Sequence, residues 1–196
     1  ATNSNILGVL PVSDDLAEEN IMHASNDDHI AHESIRQLRT NLRYAGAGID
    51  EGLRSLVVSS CVQDDGKSTI AVNLARVMAL AGQEVILIEG DLRRPRLKRL
   101  FNAGKNRPGL AQLLVGATSL ESALVTTPVP GLRVIFAGDS PPNPSELLGS
   151  SRLSELVKYL AADHVVIIDA PPVLPVTDAV ALAEHVDGML MIVRAG

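Results

Sequence analysis

The chain has one cysteine, no tryptophan, two phenylalanines and two tyrosines in 196 residues. A lone Cys61 rules out an internal disulfide and suits a reducing compartment, so a cytoplasmic location is expected. Aromatic residues at 2% leave almost no stacking platform for single-stranded nucleic acid. No apolar run approaches the roughly 20 residues that a membrane span needs. The start, ATNSNILGVL, lacks the basic region and long apolar stretch of a signal peptide. Positive charge is also scarce: 17 Lys and Arg against 23 Asp and Glu give a net charge of −6, which argues against a nucleic-acid partner. Basic residues are wholly missing from residues 1–35, which hold seven acids. An acidic, solvated lead-in over 1–28 ahead of one domain over 29–196 is the expected organisation. Apolar residues at 46% exclude a disordered chain.

What is present is a regular alternation. From Ile30 to Tyr44, Ala31, Ile35, Leu38 and Leu42 fall four, three and four apart, the stripe of a helix that docks on a core. Five short runs rich in Val and Ile follow: Ser55–Ser60, Glu84–Ile88, Leu132–Ala137, His164–Ile168 and Gly188–Val193. They read as continuous apolar runs, as strands covered on both faces do. Helical stretches separate them at Lys67–Ala81, Leu110–Val115, Ser150–Leu160 and Thr177–Glu184. The pattern predicts an α/β fold, a doubly wound, mostly parallel sheet of P-loop NTPase type with helices on both faces. Ligands of such sheets lie beyond the carboxyl ends of the strands.

The residues after those strands carry the chemistry. Gly66-Lys67-Ser68-Thr69 follows the first run and opens a helix, the setting of a phosphate-binding loop. Its amides cradle phosphates, Lys67 reaches the outer ones and Ser68 can ligate Mg²⁺. The motif is degenerate, because Cys61 stands where the pattern wants glycine. The side chains of Asp64 and Asp65 should face out while their amides face in. Glu89 and Asp91 end the second run two residues apart, one suited to Mg²⁺ and the other to deprotonating a hydroxyl. Val165–Ile168 followed by Asp169 has the form of a Walker B strand, whose Asp holds the metal shell. Arg93–Arg99 packs five basic residues into seven positions and reads equally as an anion holder or a wet surface. His23, His29 and His32 have no zinc-site spacing and are expected at the surface. Tyr44 and Tyr159 lie in helical stretches and are expected to be structural.

These motifs, in this order, resemble the cytoplasmic domain of the bacterial tyrosine kinase (BY-kinase) family of polysaccharide chain-length regulators. SSCVQDDGKST is similar to the family's P-loop, and VILIEGDLRRP to its second Walker motif D-x-D-x-R, with Glu89 at the first Asp. IIDAPPVLPVTDA resembles its Walker B region, and AGDSPPNPSELLGS and HESIRQLRTNLRY also match, the latter with E-x-x-R-x-x-R at Glu33, Arg36 and Arg39. NILGVLP is similar to the segment after that family's second membrane span.

The resemblance implies a Mg-ATP-dependent protein tyrosine kinase controlling exopolysaccharide or capsule synthesis at the inner face of the plasma membrane. ATP or ADP would be held by Val62, Gln63, Asp64, Asp65, Gly66, Lys67, Ser68 and Thr69, and Mg²⁺ by Ser68, Asp91 and Asp169. Lys67, Asp91 and Arg93 would act on the transferring phosphoryl group, with Glu89 as the base. It implies a homo-oligomer through the Glu33–Arg39 helix, a membrane-embedded regulator as partner, and a tyrosine-rich tail as substrate. In the family that tail, with a further helix and strand, lies beyond the position of Gly196, so the domain is expected to be C-terminally short. Two alternatives are a MinD/ParA-like ATPase switch, which would carry an extra Lys where Val62 stands, and a non-catalytic nucleotide-binding scaffold.

Overall fold

A computed structural model describes residues 5–13, 29–46, 52–104 and 107–195. In chain order its elements are α1 (His29–Ala45), β1 (Ser55–Ser60), α2 (Lys67–Leu80), β2 (Val85–Glu89), α3 (Leu97–Leu100), α4 (Leu110–Leu114), α5 (Leu120–Ala123), β3 (Leu124–Thr126), β4 (Leu132–Ile135), α6 (Pro144–Leu148), α7 (Ser151–Ala161), β5 (Val165–Asp169), α8 (Asp178–Ala183) and β6 (Gly188–Ile192). All five expected strands form, within two residues of the expected ends. The sequence pattern misses β3, whose three residues are too few for a strand signal and are partly buried at Leu124 and Val125 and exposed at Thr126. It also misses the single-turn helices α3, α5 and α6, which are too short to show a period.

The strands form one sheet in the order β3-β4-β2-β5-β1-β6. All neighbours are parallel except β3, which pairs antiparallel with β4 at one edge. Successive residues of each central strand feed opposite faces. Leu56, Val58, Leu87, Val134 and Ile167 pack with Leu38 and Leu42 of α1 and Leu74 and Met78 of α2. Val57, Ile86, Ile88, Ile135, Val166 and Ile168 pack with Leu110 and Leu114, Leu153 and Val157, and Leu182 from the helices of the other face. Burial on both sides is why these strands read as unbroken apolar runs.

Helix α2 lies over the sheet beneath α1, so apolar residues surround it almost completely, and small Ala71 and Ala75 are both fully buried. Residues 5–13 run without regular structure, with Leu7 and Leu10 packed on the α1–α2 side of the core. Asn41 Nδ2 donates to the Leu7 carbonyl at 2.7 Å. That part of the lead-in belongs to the domain surface; the acidic stretch 14–28 lies outside the described residues. Among the described residues no helix is long and apolar enough to cross a membrane.

Candidate active site

The sheet order brings the ends of β1, β5 and β2 side by side, and with them the P-loop, Asp169 and Asp91. Gly66 takes a left-handed conformation, φ +89°, and caps α2 without any side-chain hydrogen bond. The first amides of α2 are thereby left to an anion at the helix N-terminus. The other left-handed residue of the loop is Asp64, φ +66°, a residue type that tolerates this region. Cys61 has no positive φ, so the glycine missing from the motif is not needed for the backbone to turn here.

A cavity of about 260 Å³ opens over the loop. Gln63, Asp64, Gly66, Lys67, Ser68 and Thr69 line it, as do Asp91, Arg93, Arg94, Arg96 and the prolines after β5. Val62 and Asp65, two of the expected nucleotide contacts, do not: Val62 is exposed, and Asp65 Oδ2 turns back to accept from the Val62 amide at 3.3 Å. Asp65 therefore points no charge at an incoming phosphate.

Lys67 is the hub. Its Nζ lies 3.4 Å from Ser68 Oγ, 3.3 Å from Asp91 Oδ2 and 3.6 Å from Asp169 Oδ1, with all three side chains at least nine-tenths buried. Neither oxygen of Asp169 accepts a hydrogen bond. Burial pushes the Asp169 carboxyl up, against the pull of the Lys67 charge. A buried carboxylate with free lone pairs beside a second carboxylate and a hydroxyl fits an octahedral divalent cation that also takes nucleotide oxygens. Among the described residues no group of three or more His, Cys, Asp or Glu forms an all-protein metal cage. Mg²⁺ bound to nucleotide needs only one or two carboxylates.

Glu89 does not join this hub. The register pairs it with Asp169 across β2 and β5, yet its carboxylate is fully buried and both oxygens are taken. Oε1 accepts from the Leu97 amide at 2.6 Å and Oε2 from the Ala137 amide at 2.9 Å. Burial pushes its pKa up, and the backbone amides oppose that shift. The expected base is thus a clamp joining β2 to the start of α3 and the end of β4, and it lines no part of the cavity. Gly90 permits the close approach at this point: a Cβ there would lie 2.8 Å from Ile168 Cγ2 and 3.2 Å from the Asp169 carbonyl.

The basic run after β2 is engaged within the chain. Arg96 pairs with Asp64 at 2.7 Å, and Arg94 Nη1 donates to Gln63 Oε1 at 2.7 Å, so both hold the tip of the P-loop. Arg93 forks onto Asp178, Nε to Oδ2 at 2.8 Å and Nη2 to Oδ1 at 3.2 Å, while Ser145 Oγ donates to Asp178 Oδ1. Burial would raise the Asp178 carboxyl, but hydrogen bonds from Arg93 and Ser145 hold it below the usual carboxylate range. Sequence reasoning gave Ser145 and Asp178 no role. Their signal lay in PPNPSELL and LPVTDA, which sit on α6 and at the start of α8 and meet only in the fold.

On α1, Glu33 and Arg36 pair with each other at 3.1 Å on an exposed surface, and Arg39 turns inward to the Val77 carbonyl at 3.3 Å. Three expectations are corrected here. His32 is buried, because α1 turns that side chain toward α2. Tyr44 and Tyr159 are exposed, since each sits on the outer side of its helix. The side chains of His23 and His29 lie outside the described residues.

No protein-family profile matches the chain. The chain is 42% identical over 176 residues to tyrosine-protein kinase ptk of Acinetobacter johnsonii, covering 89% of this chain and 24% of that protein. It is 36% identical over 180 residues to tyrosine-protein kinase YwqD of Bacillus subtilis, covering 91% of this chain and 75% of that protein. The kinase domain of the Escherichia coli tyrosine kinase ETK superposes with a TM-score of 0.89 at 31% identity, covering 98% of this chain and 79% of that one. The septum site-determining protein MinD of Pyrococcus horikoshii, at 20% identity, TM-score 0.61 and coverage of 71% and 57%, shares the fold alone.

Proposed function

The chain belongs to the bacterial tyrosine-kinase family, and from that premise we propose that it transfers the γ-phosphoryl group of Mg-ATP to tyrosine hydroxyls in exopolysaccharide or capsule control. The observation that carries the reading is the convergence of Lys67, Ser68, Asp91 and Asp169 beside the uncapped start of α2.

The α2 amides and Lys67 Nζ hold the negative charge of the phosphate chain where it grows during transfer. Ser68, Asp91 and Asp169 would hold Mg²⁺, which supplies further neutralisation of the phosphate oxygens when bound. Arg93, pinned by Asp178, presents its guanidinium at the rim, and Arg94 and Arg96 keep the loop tip in place. The tyrosine oxygen bonds to the γ-phosphorus as the bond to the β–γ bridging oxygen breaks, and ADP leaves with that oxygen. Such transfer needs positioning and charge neutralisation more than a strong base. With Glu89 clamped and Asp91 held by Lys67 and the Arg94 amide, the hydroxyl proton leaves on an oxygen of the transferred phosphoryl group.

Labelled ATP with an acidic tyrosine peptide tests the reading, by separating phosphopeptide from free phosphate. Phosphopeptide supports the kinase; free phosphate alone supports a MinD/ParA-like switch; neither product supports a scaffold. Self-association through α1 is a second part of the proposal, supported by the exposed Glu33 and Arg36. Equal masses by light scattering for wild type and Glu33→Ala/Arg36→Ala would remove it. A membrane-embedded chain-length regulator is the partner and a tyrosine-rich tail the substrate that the family's pattern supports.

A further inference from the structure

Away from the P-loop, α1 and α2 enclose a cavity of about 220 Å³ lined by His32, Arg36, Arg39 and Arg76. Arg76 follows Lys67 by nine residues on α2, so at 1.5 Å per residue this cavity lies about 14 Å along the helix from the P-loop lysine. Three guanidinium groups gather there, and among the described residues little balances them. Glu33 pairs with Arg36 alone, on an exposed surface where such a pair is weak.

Arg39 gives one N–H to the Val77 carbonyl near the end of α2. The negative end of that helix accounts for Arg39; it does not account for the other two. The half-buried Arg76 guanidinium makes no hydrogen bond or ion pair to a described residue, and burial pushes its pKa down. The imidazole of His32, in a residue 6% exposed, keeps its Nε2 buried without a partner among the described residues. Buried polar atoms in folded proteins nearly always have partners, and a partly desolvated cation without one is costly.

We propose that this cavity is a second anion site, separate from the nucleotide site, that takes one phosphate-type oxyanion. A phosphate carries about −1.5 to −2 charge at neutral pH and three or more acceptor oxygens. Those match two guanidiniums with open donors and an imidazole N–H better than the two oxygens and single charge of a carboxylate. Inorganic phosphate and the phosphate of a phosphorylated side chain offer this chemistry alike.

The test is a titration of the full chain with inorganic phosphate, and separately with O-phosphotyrosine, read by NMR of the histidine ring protons. The expected result is a saturable shift of the His32 signals in wild type and equally in Lys67→Met, whose P-loop site is disabled. Arg76→Gln should weaken that binding by about tenfold or more, the worth of a charge-assisted contact. His32→Gln, read by calorimetry, is the second variant should Arg76→Gln fail to fold. Tighter binding of O-phosphotyrosine would identify a phosphorylated side chain as the source, and binding of phosphate alone a free oxyanion. A shift that never saturates, one lost in Lys67→Met, or one unaffected by both Arg76→Gln and His32→Gln would overturn the proposal.

Discussion

Replacing Glu89 by Gln separates a structural clamp from a catalytic base. The wild-type carboxylate accepts two buried backbone N–H groups, at 2.6 and 2.9 Å, one on each oxygen. Gln keeps one acceptor oxygen and turns an NH₂ toward the other amide, leaving either Leu97 or Ala137 with a buried N–H facing a donor. An unsatisfied buried donor costs about 1–3 kcal/mol, and a lost bond to a charged acceptor is of similar size. Removing a buried charge that stands beside Asp169 offsets part of this. The net expectation is a loss of about 1–3 kcal/mol, which lowers the melting temperature of a domain this size by about 3–9 °C. Circular dichroism against temperature measures it, alongside kcat for peptide phosphorylation below the melting transition. The clamp predicts a clear loss of stability with kcat little changed for the molecules that remain folded. A melting temperature within about 1 °C of wild type together with a kcat reduced more than about a hundredfold would refute it and restore Glu89 as the base.

Lys67→Met should abolish turnover and also destabilise the protein by roughly 3 kcal/mol at neutral pH, because it strips from two buried carboxylates the cation that pairs with both. Since burial already raises the Asp169 pKa and removing Lys67 raises it further, the deficit should be largest at neutral pH and shrink as acidification neutralises the carboxyl; urea unfolding at several pH values checks this. Asp178→Asn should cost about 1–2 kcal/mol, discounted because the Arg93 side chain is 42% exposed, and should raise KM for ATP while circular dichroism shows the helix content unchanged. As the Asp178 pKa is depressed in the fold, its stabilisation is present above the ordinary carboxylate range and lost as pH falls through the lower folded value, so the variant should show a shallower acid transition. Gly90→Ala should lose about 1–3 kcal/mol through forced displacement of Ile168 and the Asp169 backbone, with weaker Mg²⁺ dependence than wild type when activity is titrated with the metal.

Much of this fold was legible because its signals are local. A central parallel strand is buried on both faces, so its composition alone marks it, as in Val165–Asp169. A phosphate loop is a strand, a turn and a helix in sequence, so Gly66, Lys67 and Ser68 announce their chemistry without knowledge of any distant residue. Asp91 and Asp169 were legible for a similar reason, as carboxylates closing apolar runs in a class of sheet whose ligands sit at strand ends.

What the sequence could not carry was direction and adjacency. Glu89 and Asp91 look equivalent from their spacing, yet Glu89 faces the amides of Leu97 and Ala137, eight and 48 positions away, whereas Asp91 faces Lys67. From the sequence, the run holding Arg93 reads equally as an anion holder or a wet surface; α6 and α8 bring Ser145 and Asp178 against Arg93 and pin it. His32 reads as a surface residue until α1 docks on α2 and closes over its ring. The residue types, the strand and helix alternation and the order of the motifs were set by the chain itself, because each depends on neighbours within a few positions. Which carboxylate became a clamp, which arginine was pinned and which cations gathered between α1 and α2 depended on strand order and helix docking, because those arise from contacts between segments remote in sequence.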